Sequence, residues 1–512
     1  MELTSTNRKE SWERPVLEDE TNDYSHTYVD LSSNDLTVLS GAALLAADCM
    51  GTGILALPYS MKVLGLPFGL FFLVLNIPIN FYAGSILNEA ANSVEAKLAN
   101  ASSYQTIHND ISTFSKIPEN VPVLNDGGDS ELDLSMPRSH QTHTNFNHGS
   151  QESRNDVDNA HTFDFIGITY ALFDYPSRSS YATFIVLSIY YLNLILVLGN
   201  YILVMSHAVK AVAGESICLP VAGLIANILM FGISQLPTMA SLGRIVSIIS
   251  ILSLAVVVIL CLLAVHRNDR VRFLEHDDDT FSNHSTTANF LRQSAAISAI
   301  GFSVGSQKLF LNIRHEFKDR NEAPKSLGIS LVSFGTIYAI VCVAAGPNPP
   351  EFLFDAIEGG LARRVAGLML WLHLAVSFSI NAQALCSSID RLKLHRVRFL
   401  RLNEKHQLRW ALLTISVISS SYLIANSVPF FSDLVALIGA STSVPLTLLL
   451  PAVLYRKMIG SPLFLLGTDV SARSFFSFLL VIFSLLFLIF GILGSVFSIA
   501  VDWRDRGSPF AC

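Results

Sequence analysis

One apolar stretch of this sequence contains an aspartate, two glycines and a proline: Asp48, Gly51, Gly53 and Pro58, with Thr52 between the glycines. A charged group in hydrocarbon costs at least about 2.5 kcal/mol on insertion scales, so one that persists there has a partner or a task. Glycine frees the backbone from a single conformation, and proline removes an amide donor from the helical ladder. Together they predict a helix that unwinds part-way across a membrane. Its released amides suit an anion such as a carboxylate, and its released carbonyls suit a cation or an ammonium group. Small residues also serve close helix packing, but packing has no use for Asp48.

A second interrupted stretch runs Ala295-Ala-Ile-Ser-Ala299-Ile-Gly301-Phe-Ser-Val-Gly305-Ser306. Carbonyls near Ala299 and Gly301 are the expected counterpart of the amides at Gly51, Thr52 and Gly53. Farther along, Ser377, Ser379 and Asn381 form a short polar run. Serine hydroxyls beside freed carbonyls would ligate Na⁺, whereas serines that bond back to their own helix would not. Tyr190, Tyr191 and Asn193 place two phenols and an amide in another apolar run. We take Tyr191 as the substrate-facing candidate. Asp48 either contacts the substrate ammonium, carries a coupling proton or offsets a bound cation.

The elements that must hold these residues follow from composition. The chain has 512 residues, 51% hydrophobic and only 15% charged, against about 25% charged in a typical soluble chain. Between loops lie apolar runs near the roughly 20 residues that cross a bilayer, and in hydrocarbon such runs must be helices. Eleven are predicted, near 38–62, 66–91, 181–213, 217–236, 243–266, 290–313, 326–346, 366–390, 409–426, 430–455 and 474–500. The long run 217–266 is divided at Gln235-Leu236-Pro237. The fold class is therefore all-α integral membrane. The two interrupted spans, first and sixth, sit at equivalent places in two five-span halves, the pattern of an inverted-repeat transporter with its site between broken helices.

Residues 1–37 form an acidic tail expected to be disordered, with no apolar core of a cleavable signal. Residues 92–162, rich in Asn, Ser, Asp and His, are expected to be a disordered cytosolic insert within the 38–500 transmembrane domain. The histidines His108, His140, His143, His148 and His161 are too irregularly spaced for a metal site. Residues 163–175 are apolar enough for an interfacial helix, and 501–512 form a short tail. Lys and Arg concentrate after spans 6 and 8, which places the N-terminus in the cytosol and the C-terminus outside or in a lumen. The sequon at Asn283 then falls on the lumenal side. Six scattered cysteines suggest no disulfide framework, although a Cys218–Cys512 bridge is topologically feasible. No basic patch suggests nucleic acid, no nucleophile–base pair or metal cluster suggests an enzyme, and no filter motif suggests a channel. No cofactor is expected beyond a coupling ion, H⁺ or Na⁺.

The run from Asp48 to Tyr59 resembles the first-span signature of the amino acid/auxin permease family, which includes proton-coupled, sodium-coupled and vesicular amino acid transporters. Pro429-Phe-Phe-Ser-Asp433-Leu-Val-Ala-Leu-Ile-Gly439-Ala440, continued by Pro445 to Pro451, resembles that family's span 9–10 junction. Gln235-Leu-Pro-Thr resembles its span 4–5 turn. The resemblance implies the five-plus-five inverted repeat of the amino acid/polyamine/organocation group, a LeuT-like fold. It also implies an amino acid substrate between spans 1 and 6, carried by ion-coupled symport. Three features depart from the family: Asp48 stands where coupled members typically have Asn, Leu311-Asn312-Ile313 replaces the usual Pro-Glu-Ile, and the insert is long.

The resulting expectation is a secondary transporter of neutral amino acids, coupled to H⁺ more readily than Na⁺. A sensor of the same fold with little flux is the rival. Plasma membrane and vacuolar or lysosomal membrane both fit, and Tyr28-Val-Asp-Leu31 matches a tyrosine sorting pattern. Nothing in the sequence specifies an oligomeric state.

Overall fold

A computed structural model of the chain describes residues 37–100, 165–174, 181–214, 216–235, 243–272, 286–305, 307–315, 317, 319–391, 406–463, 472–507 and 509–510. These residues fold as helices and connecting turns, without strands. In chain order the helices are α1 (Val38–Cys49), α2 (Gly53–Leu64), α3 (Leu66–Asn100), α4 (Phe165–Thr169), α5 (Tyr181–Ala213), α6 (Leu219–Ser234) and α7 (Gly243–Arg272). Then come α8 (Thr286–Val304), α9 (Gln307–His315), α10 (Ala323–Ala344), α11 (Leu361–Arg391), α12 (His406–Ser427), α13 (Phe431–Ile438), α14 (Leu450–Met458) and α15 (Ala472–Arg506). Among the described residues, eight helices are long and apolar enough to cross a membrane, and α2 and α6 are shorter apolar helices. Their outward side chains, such as Phe71, Ile228, Leu252, Ile340, Leu423 and Leu493, are large and apolar. Lipid in contact with a helix requires that surface.

The interruptions are local. Thr37 caps α1 by accepting from the Ser40 amide, and α1 ends at Cys49. Met50 leaves helical geometry (φ −75°, ψ 57°), and the chain re-enters a helix at Gly53. Pro58 sits inside α2, where its missing N–H frees a carbonyl one turn earlier. The second break comes later than expected. Helix α8 continues through Ala299 and Gly301 to Val304 and opens only at Gly305. Gly301 is spent instead on packing: a Cβ there would meet Phe487 Cζ at 2.6 Å and Val444 Cγ2 at 2.9 Å.

Two further expectations are corrected. Helix α3 runs nine residues into the expected insert, to Asn100, because Asn92 and Glu95 on that extension are tied to Arg314, Arg320 and Asn321. Cys218, at the N-cap of α6, is disulfide-bonded, whereas Cys49, Cys261, Cys342 and Cys386 are in no disulfide. Phe510 lies at the same end of the bundle, where its amide donates to the Asn426 carbonyl and the Tyr422 hydroxyl donates to the Pro220 carbonyl. The expected tenth span is also uneven. Between α13 and α14 it passes through two π-helical turns, Gly439–Ser443 and Pro445–Leu449, where Pro445 breaks the regular ladder. The acidic tail, the histidines of the insert, the Asn283 sequon, the Tyr28 pattern, the turn after Gln235 and Cys512 lie outside the described residues.

The helices that bring the breaks together are few. α2 packs on α8, α5 on α11, α1 and α3 on α10, and α8 on α13 and α15. Small residues line the tightest of these seams. Gly439 lies on the backbone of Ser298, and Gly491 lies on the Ser298 hydroxyl.

Candidate functional site

The first break is held from both sides by polar groups on neighbouring helices. The Asn200 side-chain amide, on α5, donates to the Thr52 hydroxyl at 2.7 Å. Both residues are buried, and Asn200 Oδ1 has no hydrogen-bond partner. A buried, unsatisfied amide oxygen costs about 1–3 kcal/mol, so the orientation of Asn200 is bought by its bond to Thr52 or by something that binds the free oxygen. On the other side, the Tyr338 hydroxyl of α10 donates to the Cys49 carbonyl at 2.6 Å. The Gly51 amide also turns back to that carbonyl at 2.8 Å. The Cys49 carbonyl, released by the end of α1, is thus taken by a partner outside its own helix.

The two breaks meet at Gly53 and Ser303. A Cβ on Gly53 would lie 2.6 Å from Ser303 Oγ and 3.1 Å from Ser303 Cα. Glycine is required there because another backbone approaches. Ser303 in turn donates to the Ala299 carbonyl at 2.9 Å, so Ala299 keeps a helical carbonyl, not a free one. After the second break, the Lys308 ammonium stands over the Phe302 ring at 5.5 Å. Of the candidate residues Gly51, Thr52 and Gly53, Gly53 abuts α8, Thr52 is held by Asn200 on α5, and the Gly51 amide turns back to Cys49. Ala299 and Gly301 lie on α8 but inside regular helix. Only the main-chain position of Asp48, in the last turn of α1, is described.

The remaining candidates lie on other seams. Ser377 donates to His373 O at 3.4 Å and Ser379 to Ala375 O at 2.8 Å. Both hydroxyl protons stay on their own helix. Tyr191 shares a 2.8 Å hydrogen bond with Ser388 across the α5–α11 seam.

Sequence reasoning missed Asn200, Tyr338 and Ser303 and gave Asn193 no role. Asn193 donates to Thr442 Oγ1 at 2.8 Å and Ser443 Oγ at 3.1 Å, fixing α5 to the first π-helical turn. Asparagine twice in one apolar span was the available signal, since amides in hydrocarbon must find partners. Arg314 was read only as a loop charge. It is fully buried in α9, where it donates to Asn88 at 2.7 Å, to Asn92, and to Glu95 at 2.5 Å, while Arg320 reaches the same carboxylate at 2.9 Å. This network ties the segment after the second break to the end of α3.

The first break and the free amide oxygen of Asn200 are thus brought to one place beside α8. In comparison with known proteins, residues 34–121 and 150–497 match the family described as transmembrane amino acid transporter protein. No curated protein matches the chain.

Proposed function

We propose that this chain, which belongs to the transmembrane amino acid transporter family, is a secondary active transporter that carries neutral amino acids by alternating access and couples them to protons. Membership and the apolar helices establish an integral, multi-pass membrane protein of an amino acid transporter family. The remainder is our reading. The observation that carries it is the meeting of two interrupted helices at Gly53 and Ser303, with Asn200 reaching the first interruption.

An eleven-span, five-plus-five inverted repeat is supported by the way helices pair. Counting α1–α2 as the first span and α8–α9 as the sixth, span 1 packs on span 6, span 2 on 7, span 3 on 8 and span 4 on 9. Two repeats related by an axis in the membrane plane would bring equivalent members together in this way. In this reading the N-terminus is cytosolic, and the cytosolic end carries the Arg314–Glu95 network.

The substrate carboxylate takes amides at the first break, at Gly51, Thr52 and Gly53, once the Gly51 amide leaves the Cys49 carbonyl, favoured by the positive end of the α2 dipole. Its ammonium takes main-chain carbonyls of span 6 and the Asn200 oxygen. Asp48 carries the coupling proton. Ser377 and Ser379 would be Na⁺ ligands only by lone pairs, since their protons are committed to their own helix, and this favours H⁺. The deciding experiment is uptake of a labelled amino acid panel into liposomes, with pH and Na⁺ gradients imposed separately. Neutral amino acids should accumulate under a proton gradient, and Asp48→Asn should abolish accumulation while leaving exchange. Saturable binding without flux under either gradient would replace transport by sensing.

A further inference from the structure

The transport reading leaves one buried carboxyl unused. Asp433, in the first turn of α13, is 5% exposed. The Ser498 hydroxyl of α15 donates to its Oδ1 at 2.7 Å, and its Oδ2 has no hydrogen-bond partner. Asp502, one turn beyond Ser498 on α15, lies across from it, within reach of a hydrogen bond if a proton stands between the two carboxyls. Asp502 is itself 3.6 Å from Arg506, which forms a bidentate pair with Glu351 in the connection between α10 and α11.

We infer that Asp433 and Asp502 form a proton-binding site at the outer end of the bundle, separate from Asp48, whose occupancy sets how readily the outward face takes substrate. For its uptake measurement the inference rests on the transport reading.

Charge balance argues for a proton. Arg506 contacts Asp502 and Glu351, and Asp433 beside Asp502 adds a third carboxylate with no guanidinium of its own in contact. The other groups facing the cluster are Arg292 on α8, acting on Asp502 at longer range, and the Tyr59 phenol on α2 beside Glu351. Two like charges sharing a buried site do not both stay ionised without a compensating partner. One proton between Asp433 and Asp502 removes the repulsion and gives Oδ2 the partner it lacks. Among the described residues no three acidic, histidine or cysteine side chains are arranged to hold a metal ion.

The connection to the broken helices is geometric. Asp433 is carried by α13 and Asp502 by α15. The π-helical turn that continues α13 meets α8 through Gly439 at the Ser298 backbone, and α15 meets it through Gly491 at the Ser298 hydroxyl. Any change in spacing between the outer ends of α13 and α15 therefore bears on one residue of α8. Five residues farther along α8, Ser303 abuts Gly53 at the first break. Packed helices of this kind shift as units, not by local compression.

The test uses the full chain in liposomes at fixed inner pH, with outer pH stepped from mildly acidic to mildly alkaline. The first measurement is the half-saturation concentration for labelled L-leucine. It should change by up to about tenfold per pH unit for each linked proton in the wild type, where Asp48 and the carboxyl pair both contribute. That slope should become shallower in Asp433→Asn and in Asp502→Asn, which leave only the Asp48 proton linked to uptake. The second measurement needs no transport: alkylation of Cys49, the half-buried thiol beside the first break, by a maleimide. Its rate is read on the Cys49 peptide and normalised to a free thiol at each pH. It should vary several-fold with outer pH in the wild type and not in Asp433→Asn. Should the asparagine variants fail to insert, Ser498→Ala should displace the midpoint of the pH dependence. A slope preserved in Asp433→Asn, or an unmoved midpoint in Ser498→Ala, overturns the inference and leaves the transport reading intact. If the wild type takes up no amino acid, transport fails, and the Cys49 measurement still decides whether the carboxyl pair binds the proton.

Discussion

The Asn200 side chain donates its hydrogen bond to the Thr52 hydroxyl, so the middle of α5 reaches the point where the first span is interrupted. Asn200 spends one donor there and keeps an oxygen with no partner. Replacing Asn200 with Ala should release Thr52 and remove that oxygen. A net hydrogen bond is worth about 0.5–1.5 kcal/mol, so half-saturation for a transported amino acid should rise about three- to tenfold, more if the oxygen contacts substrate. Uptake kinetics across the amino acid panel would check this, and an unchanged half-saturation would remove Asn200 from the site.

Tyr338→Phe deletes the hydroxyl that occupies the Cys49 carbonyl. The carbonyl at the end of α1 would then lose its partner on α10, at a cost of about 1 kcal/mol. Faster alkylation of Cys49, with little change in thermal stability in detergent, is the expected signature.

Gly53→Ala pushes a methyl group to within 2.6 Å of Ser303 Oγ and close to the Ser303 backbone. The interface between the two broken spans must widen, and overpacking of this kind costs about 1–3 kcal/mol. Uptake should fall at least tenfold. The double change with Ser303→Gly, which clears the hydroxyl and Cβ, should recover part of it. No recovery would mean that Gly53 is needed for conformation and not for approach.

Arg314→Ala leaves the Glu95 carboxylate with only Arg320 and strands the amide oxygens of Asn88 and Asn92. Removing one partner of a buried ion pair costs about 3–5 kcal/mol. We expect a large drop in thermal stability, or a bundle shifted toward the conformation open at that end, detectable by labelling of cysteines introduced along α9. Glu95→Gln should have a smaller effect in the same direction. A double-mutant cycle between the two should show coupling above about 1 kcal/mol.

Gly439→Ala should be among the most damaging single changes, since its side chain would strike the Ser298 carbonyl, which cannot rotate away. Loss of folded protein on size-exclusion chromatography would check this, with Gly232→Ala, where nothing lies nearby, as the tolerated control.

The sequence by itself determined the solvent and the main chain's response to it. Apolar runs of bilayer length can only be helices, and Gly51, Gly53 and Pro58 marked the first interruption to within a residue or two. It also determined the family, because the run from Asp48 to Tyr59 carries that signature. Only the tertiary structure decided how the breaks are used. The second break falls after Val304 and not at Gly301, because Gly301 is needed for Phe487 and Val444 on other spans. Nothing within the span itself distinguishes a glycine that unwinds a helix from one that admits a neighbour. In the same way, Asn200, Tyr338, Arg314 and Asp433 take their roles from partners between 65 and 289 residues away. Hydropathy and spacing report what a residue costs in the membrane; which group meets that cost is settled by packing.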